Sequence, residues 1–197
     1  MKRLLPLLVI ALTTACSVND AITPAKHIRM DCNNDNLAER GKLIEFVTGD
    51  FNGDGQSEYA AIYCFDGGSE DDCENETQMY GCIRFGNRDI PALYPAWVTS
   101  NLTNEGDLNG DGTDEIGFLV REGPSYWGEY RIYTSDADSW RELVSVSHHE
   151  DWNPAPYQEL VRANPDDASS LIVKSTDFAE DGVKVNEITV EISRKHQ

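Results

Sequence analysis

One nine-residue pattern occurs twice and constrains this chain more than any other feature. Asp50-Phe51-Asn52-Gly53-Asp54-Gly55-Gln56-Ser57-Glu58 returns 57 residues later as Asp107-Leu108-Asn109-Gly110-Asp111-Gly112-Thr113-Asp114-Glu115. Each copy runs directly into an apolar, strand-like stretch. A fixed offset of this length marks a duplicated supersecondary unit. A further step of 57 lands on Asn164-Pro165-Asp166-Asp167, shortly before Leu171-Ile172-Val173. This third copy keeps an acidic turn before a strand but has Ala168 where the third ligand is expected.

Between the repeats the signal is strand-like. Runs rich in β-branched and aromatic residues span 43–48, 58–65, 79–85, 115–120, 130–134, 142–146, 171–175 and 183–192, many of them separated by Gly, Asn and Asp. The last alternates: Val183, Val185, Ile188, Val190 and Ile192 fall mostly two apart. No long helical period occurs; residues 154–160 read as a short helix or a loop. The expected class is mainly β, with two or three antiparallel sheet repeats of about 57 residues.

The spacing Asp-x-Asn-x-Asp-Gly-x-x-Glu suits a loop wound around a cation. Side chains at positions 1, 3, 5 and 9 converge, position 7 offers its backbone carbonyl, and glycine at position 6 permits the sharp turn. The candidate ligands are Asp50, Asn52, Asp54, Gln56 and Glu58 in one loop, and Asp107, Asn109, Asp111, Thr113 and Glu115 in the other. Hard oxygen donors in this number select calcium over zinc or copper, so two calcium ions are expected. Position 12 of an EF-hand is a bidentate Glu, but here it is Ala61 or Phe118, inside a strand-like run.

A nine-residue loop opening a strand resembles the calcium loops of FG-GAP and VCBS-type repeats. The matching stretches are 47–62 and 105–120; Glu58 and Glu115 stand where those repeats more often have Asp. The resemblance implies an incomplete propeller-like arrangement, because the chain has room for three blades where the family closes with more. It also implies structural calcium and an extracytoplasmic setting.

The amino terminus agrees with export. Met1-Lys2-Arg3 is basic, residues 4–12 are apolar but too short to span a bilayer, and Thr13-Thr14-Ala15-Cys16 resembles a bacterial lipobox with Thr13 in place of the preferred Leu. The resemblance implies a lipoprotein signal over 1–15, lipid on Cys16, and, with Ser17 following, the outer membrane of a Gram-negative cell. Residues 16–40 read as a tether and 41–197 as the calcium-binding β-repeat domain. Lipidation of Cys16 would leave Cys32, Cys64, Cys73 and Cys82, four candidates for two disulfides in an oxidising compartment. Spacing leaves all three connectivities open.

Charge narrows the partners. The 35 acidic and 16 basic residues give −19, and loss of Lys2 and Arg3 with the signal makes −21. Such a surface does not suit nucleic acid, which needs clustered Lys and Arg. Contact with membrane is expected through the lipid alone. Tyr126, Trp127, Tyr130 and Tyr133 could stack on a sugar or fill a core. His148 and His149 are adjacent, so on a strand they point to opposite faces. Gly123-Pro124-Ser125-Tyr126-Trp127 fails the Gly-x-Ser-x-Gly pattern of a serine nucleophile. No catalytic set stands out. The reading is a calcium-stabilised, lipid-anchored binding or scaffolding protein with an unidentified protein or glycan ligand. The alternative is a surface carbohydrate-processing hydrolase or accessory carbohydrate-binding module.

Overall fold

Among the described residues, ten strands form three antiparallel sheets, each built from strands consecutive in sequence. A computed structural model describes residues 42–65, 80–93, 101–120, 126–136, 138–149, 151, 157–180 and 182–192. These residues belong to one compact unit, Asp31–Gln197. The expected signal, the tether, Cys16, Cys32, Cys73 and the side chain of Cys64 lie outside the described residues. Cys82 is disulfide-bonded.

The first sheet has the order β1 (Lys42–Gly49), β2 (Glu58–Phe65), β3 (Tyr80–Phe85). The second runs β4 (Thr103–Gly106), β5 (Glu115–Val120), β6 (Trp127–Asp136), β7 (Ser139–His149). The third contains β8 (Val161–Ala163), β9 (Ser170–Ala179) and β10 (Gly182–Glu191), with β9 in the centre. Before β8 lies a 3-10 turn, Tyr157–Glu159. The architecture is mainly β, as expected, and none of the three sheets closes on itself.

The repeat is visible in the strand ends. Gly49, Gly106 and Ala163 close the first strand of their hairpins at the same offset of 57. Glu58 and Glu115 open the second strand at that offset, but β9 begins at Ser170, two residues early. The third hairpin thus matches the other two in where its first strand ends and has a turn two residues shorter. Asp167 accepts the backbone N–H and the hydroxyl of Ser169, as Asp111 does from Thr113. By this pattern Asp167, not Ala168, occupies the third-ligand place, and Ser170 replaces the closing Glu.

Strand alternation builds two cores on either side of the second sheet. Ile116, Phe118 and Val120 of β5 join Ala60, Ile62, Ile83 and Phe85 of the first sheet. Leu119, from the other face of β5, joins Tyr130, Ile132, Val144 and Val146 with Leu171 and Val173 of the third sheet. All six residues of β5 are buried, which is why its sequence, Glu-Ile-Gly-Phe-Leu-Val, is apolar on both faces beyond its first residue. Aromatic contacts fix the first core: Phe85 stacks on Trp140 at 4.9 Å and meets the edge of Phe51 at 5.3 Å. Phe51 belongs to the first nine-residue loop, so that loop is tied directly into the core.

Candidate metal centre

Each nine-residue loop bridges a β-hairpin, β1 to β2 or β4 to β5. Its first Asp follows the incoming strand and its Glu opens the outgoing one. The carboxylates, four residues apart in sequence, are thereby returned to one place. Asp50, Asp54 and Glu58 bring one oxygen each within 4.8 Å of one another, and so do Asp107, Asp111 and Glu115. Among the described residues these are the groups of three or more acids, His or Cys that could hold a metal ion.

The loops hold this shape through their own backbone. Asp50 Oδ1 accepts the N–H groups of Gly53 and Asp54 at 2.8 and 3.1 Å, and Oδ2 accepts that of Gly55 at 2.8 Å. Asp107 repeats the set with Gly110, Asp111 and Gly112 at 2.7, 3.1 and 3.0 Å. Asn52 and Asn109 accept the N–H of the following Asp, and Asp54 and Asp111 accept those of Gln56 and Thr113. Gly55 and Gly112 have φ of 82° and 91°, the left-handed region in which a side chain is strained. The sixth position thus needs glycine for the reason its spacing implied.

The two centres differ in depth. Glu58 is half-buried, and its Oε2 accepts the N–H of Phe51 at 3.2 Å. Glu115 is fully buried. It accepts the N–H of Leu108 at 2.6 Å and the Asn109 side-chain amide at 2.7 Å. Asn109 also donates to the Thr134 hydroxyl at 3.0 Å, which anchors the second loop to β6. Among the described residues no Lys or Arg pairs with any of these six carboxylates. A buried carboxylate facing two more, with only dipoles to balance it, fits a hard divalent cation as the missing counter-charge. The donor set is all oxygen, as calcium requires. Of the ten expected ligands, the six carboxylates converge in two groups of three; Asn52, Gln56, Asn109 and Thr113 lie in the same two loops.

Burial sets the acid–base behaviour. The Glu115 carboxyl is pushed up to about 8, chiefly by desolvation and further by Asp111 and Asp107, while hydrogen bonds from Leu108 and Thr134 pull it down. Glu58 is raised too, first by desolvation, and Glu105 is raised to about 7 by its burial against the pull of Tyr130. Each pKa is higher folded than unfolded. The stability these groups lend to the ion-free protein is therefore complete below about 4.5 and lost as pH rises through about 7 to 8. A metal ion held by Glu115 would have to displace its proton, so affinity at the second loop should rise by up to ~tenfold per pH unit below that point. In chelator the melting temperature should fall between pH 6 and 8.5, and saturating calcium should shrink that fall to the part due to Glu105, which lies outside the candidate ligands. A chelated protein that grows more stable over this range would contradict the assignment.

The other candidate residues do not converge. Tyr130 is fully buried, with its hydroxyl donating to Glu105, and Tyr133 stacks on Phe118. Tyr126 is exposed and Trp127 meets the His149 ring edge-on, so the four aromatics do not share one flat surface. His148 is buried beside Tyr157, whereas His149 lies 3.7 Å from Asp151. Residues 123–125 are outside the described residues.

Sequence reasoning missed Asn104, Asp114 and Thr134, which brace the loops from positions outside the ligand pattern. Asp114 lies inside the nonapeptide, but its counterpart in the first copy is Ser57, so the repeat itself hides it. No protein-family model, curated protein or solved structure matches the chain.

Proposed function

We propose that the chain is a calcium-stabilised binding or scaffolding protein, exported and held to a membrane by lipid on Cys16. The observation that carries the calcium part is the pair of matched carboxylate triads, each within 4.8 Å, one of them closed by the buried Glu115. The ions would be structural. Each would tie the incoming and outgoing strands of a hairpin together at one end of its sheet, and no reacting group is needed for that. The ions would sit on Asp50, Asn52, Asp54, Gln56 carbonyl and Glu58, and on Asp107, Asn109, Asp111, Thr113 carbonyl and Glu115.

An open series of three sheets with such loops suits a partial, propeller-like arrangement of FG-GAP or VCBS type. The third hairpin would bind no ion, because Ser170 takes the place of the last carboxylate. Calorimetric titration with calcium should therefore give two ions per chain. Asp54→Ala and Asp111→Ala should each remove one of them. A titration with no heat of binding would overturn the reading.

Anchoring has its own test. Cys16→Ala should move the protein from the membrane fraction to the soluble one. Mass spectrometry that finds no lipid on the wild-type amino terminus would exclude the anchor. The ligand of the domain is a protein or a glycan, and a pull-down with the unlipidated domain against both classes would separate them.

A further inference from the structure

We propose that the two loops form a coupled pair, with Asp114 as the positioning residue that transmits occupancy of one loop to the other. The inference rests on the calcium reading of the loops. Asp114 is the eighth residue of its loop, between Thr113 and Glu115, and is outside the expected ligand set. Its side chain leaves its own loop. Asp114 Oδ2 accepts the backbone N–H of Asp50 at 2.9 Å, across 64 residues of sequence. The Asp114 N–H donates to the Asp50 carbonyl at 2.8 Å. Both backbone polar groups of the leading ligand in the first loop are thus clasped by a residue of the second.

Asn104 locks this clasp. Its Nδ2 donates to Asp114 Oδ2 at 3.0 Å and to the Thr48 carbonyl at 2.9 Å, and its Oδ1 accepts the N–H of Gly106 at 2.8 Å. The fit leaves no room beside it. A Cβ on Gly49 would lie 2.5 Å from Asn104 Nδ2 and 2.7 Å from Asp114 Oδ2. The loops also touch farther out, where a Cβ on Gly53 would meet the Gly112 carbonyl at 3.1 Å.

The sign of the coupling follows from what must be ordered. An ion in the second loop fixes Thr113 and Glu115, the neighbours of Asp114 on either side. That fixes the clasp, and Asp50 is then held in place before the first ion arrives. The entropy of ordering Asp50 is lost once for both events, so each ion favours the other, by the same factor in either direction. Repulsion between the ions opposes this, but Asp54 and Asp111 are exposed, and salt screens exposed charges over about 8 Å. The direct backbone contact is not screened, and positive coupling results.

The test is a calcium titration of the full chain by calorimetry in a thermodynamic cycle. Asp111→Ala reports the first loop alone and Asp54→Ala the second alone. The product of the two wild-type association constants should exceed the product of these single-loop constants about fivefold or more. With Asp114→Ala added to all three proteins, that factor should fall toward one, because only the main-chain half of the clasp remains. A wild-type factor of one, or a factor untouched by Asp114→Ala, overturns the coupling while leaving two calcium sites standing. Absence of any binding to wild type overturns the calcium reading and the coupling with it. If Asp114→Ala loses its strand spectrum, Asn104→Ala takes its place, and the factor should again fall.

Discussion

Chelation of calcium should lower the melting temperature of the domain by about 6–12 °C. Extracellular calcium modules bind at about 10⁻⁴–10⁻³ M. With ~1 mM calcium and a dissociation constant of ~0.1 mM, linkage gives roughly 1.4 kcal/mol per site. Two sites together contribute about 3 kcal/mol, and a domain of this size shifts by about 2–4 °C per kcal/mol. The chain should stay folded without the ion, because both apolar cores are built from strands whose packing involves no charge. Scanning calorimetry in calcium and in chelator, at one pH above 8, measures the difference. Identical melts would show that the loops are turns and nothing more.

Phe118→Ala should destabilise the domain by about 3–5 kcal/mol, the usual cost of emptying a phenylalanine site in a core. Phe118 is 0% exposed, in the central strand of the middle sheet, and stacks on Tyr133 with the rings 5.3 Å apart and 6° from parallel. Neighbours on two sheets line the site, so the cavity cannot collapse without moving both. Phe178→Ala is the control. That ring is 75% exposed near the end of β9, and its loss should change stability by no more than about 0.5 kcal/mol. Denaturant midpoints measured in calcium compare the two variants. Equal effects would mean that the first core is not where the packing energy resides.

These expectations trace back unevenly to the sequence. The strands that bury one or both faces are legible because burial writes an apolar run: the spans 58–65 and 115–120 coincide with β2 and β5. β6 and β7 are longer than their apolar centres, since their ends carry polar residues such as Asp136 and Ser139. β4 (Thr-Asn-Glu-Gly) and β8 are short and carry little apolar signal; their partners supply the ladder that makes them strands. The two converging carboxylate groups were legible because their geometry is local, within nine residues. Asp114 was not, because its partner Asp50 is brought to it only by the packing of two hairpins. The third copy was blurred for another reason. A two-residue contraction shifts the register of a fixed offset, and only the strand ends restore it.

That contraction has a consequence for how the molecule responds to its surroundings. The third hairpin closes its corner with Asn164 and Asp167 bonded to nearby backbone and hydroxyl groups, and Asn164 Nδ2 reaches Ser170 at 2.9 Å. It has no triad of converging carboxylates, so nothing there waits for an ion. If the first two loops hold calcium, sensitivity to the ion is graded along the chain. A drop in external calcium would then soften the corners of the first two hairpins and leave that of the third unchanged.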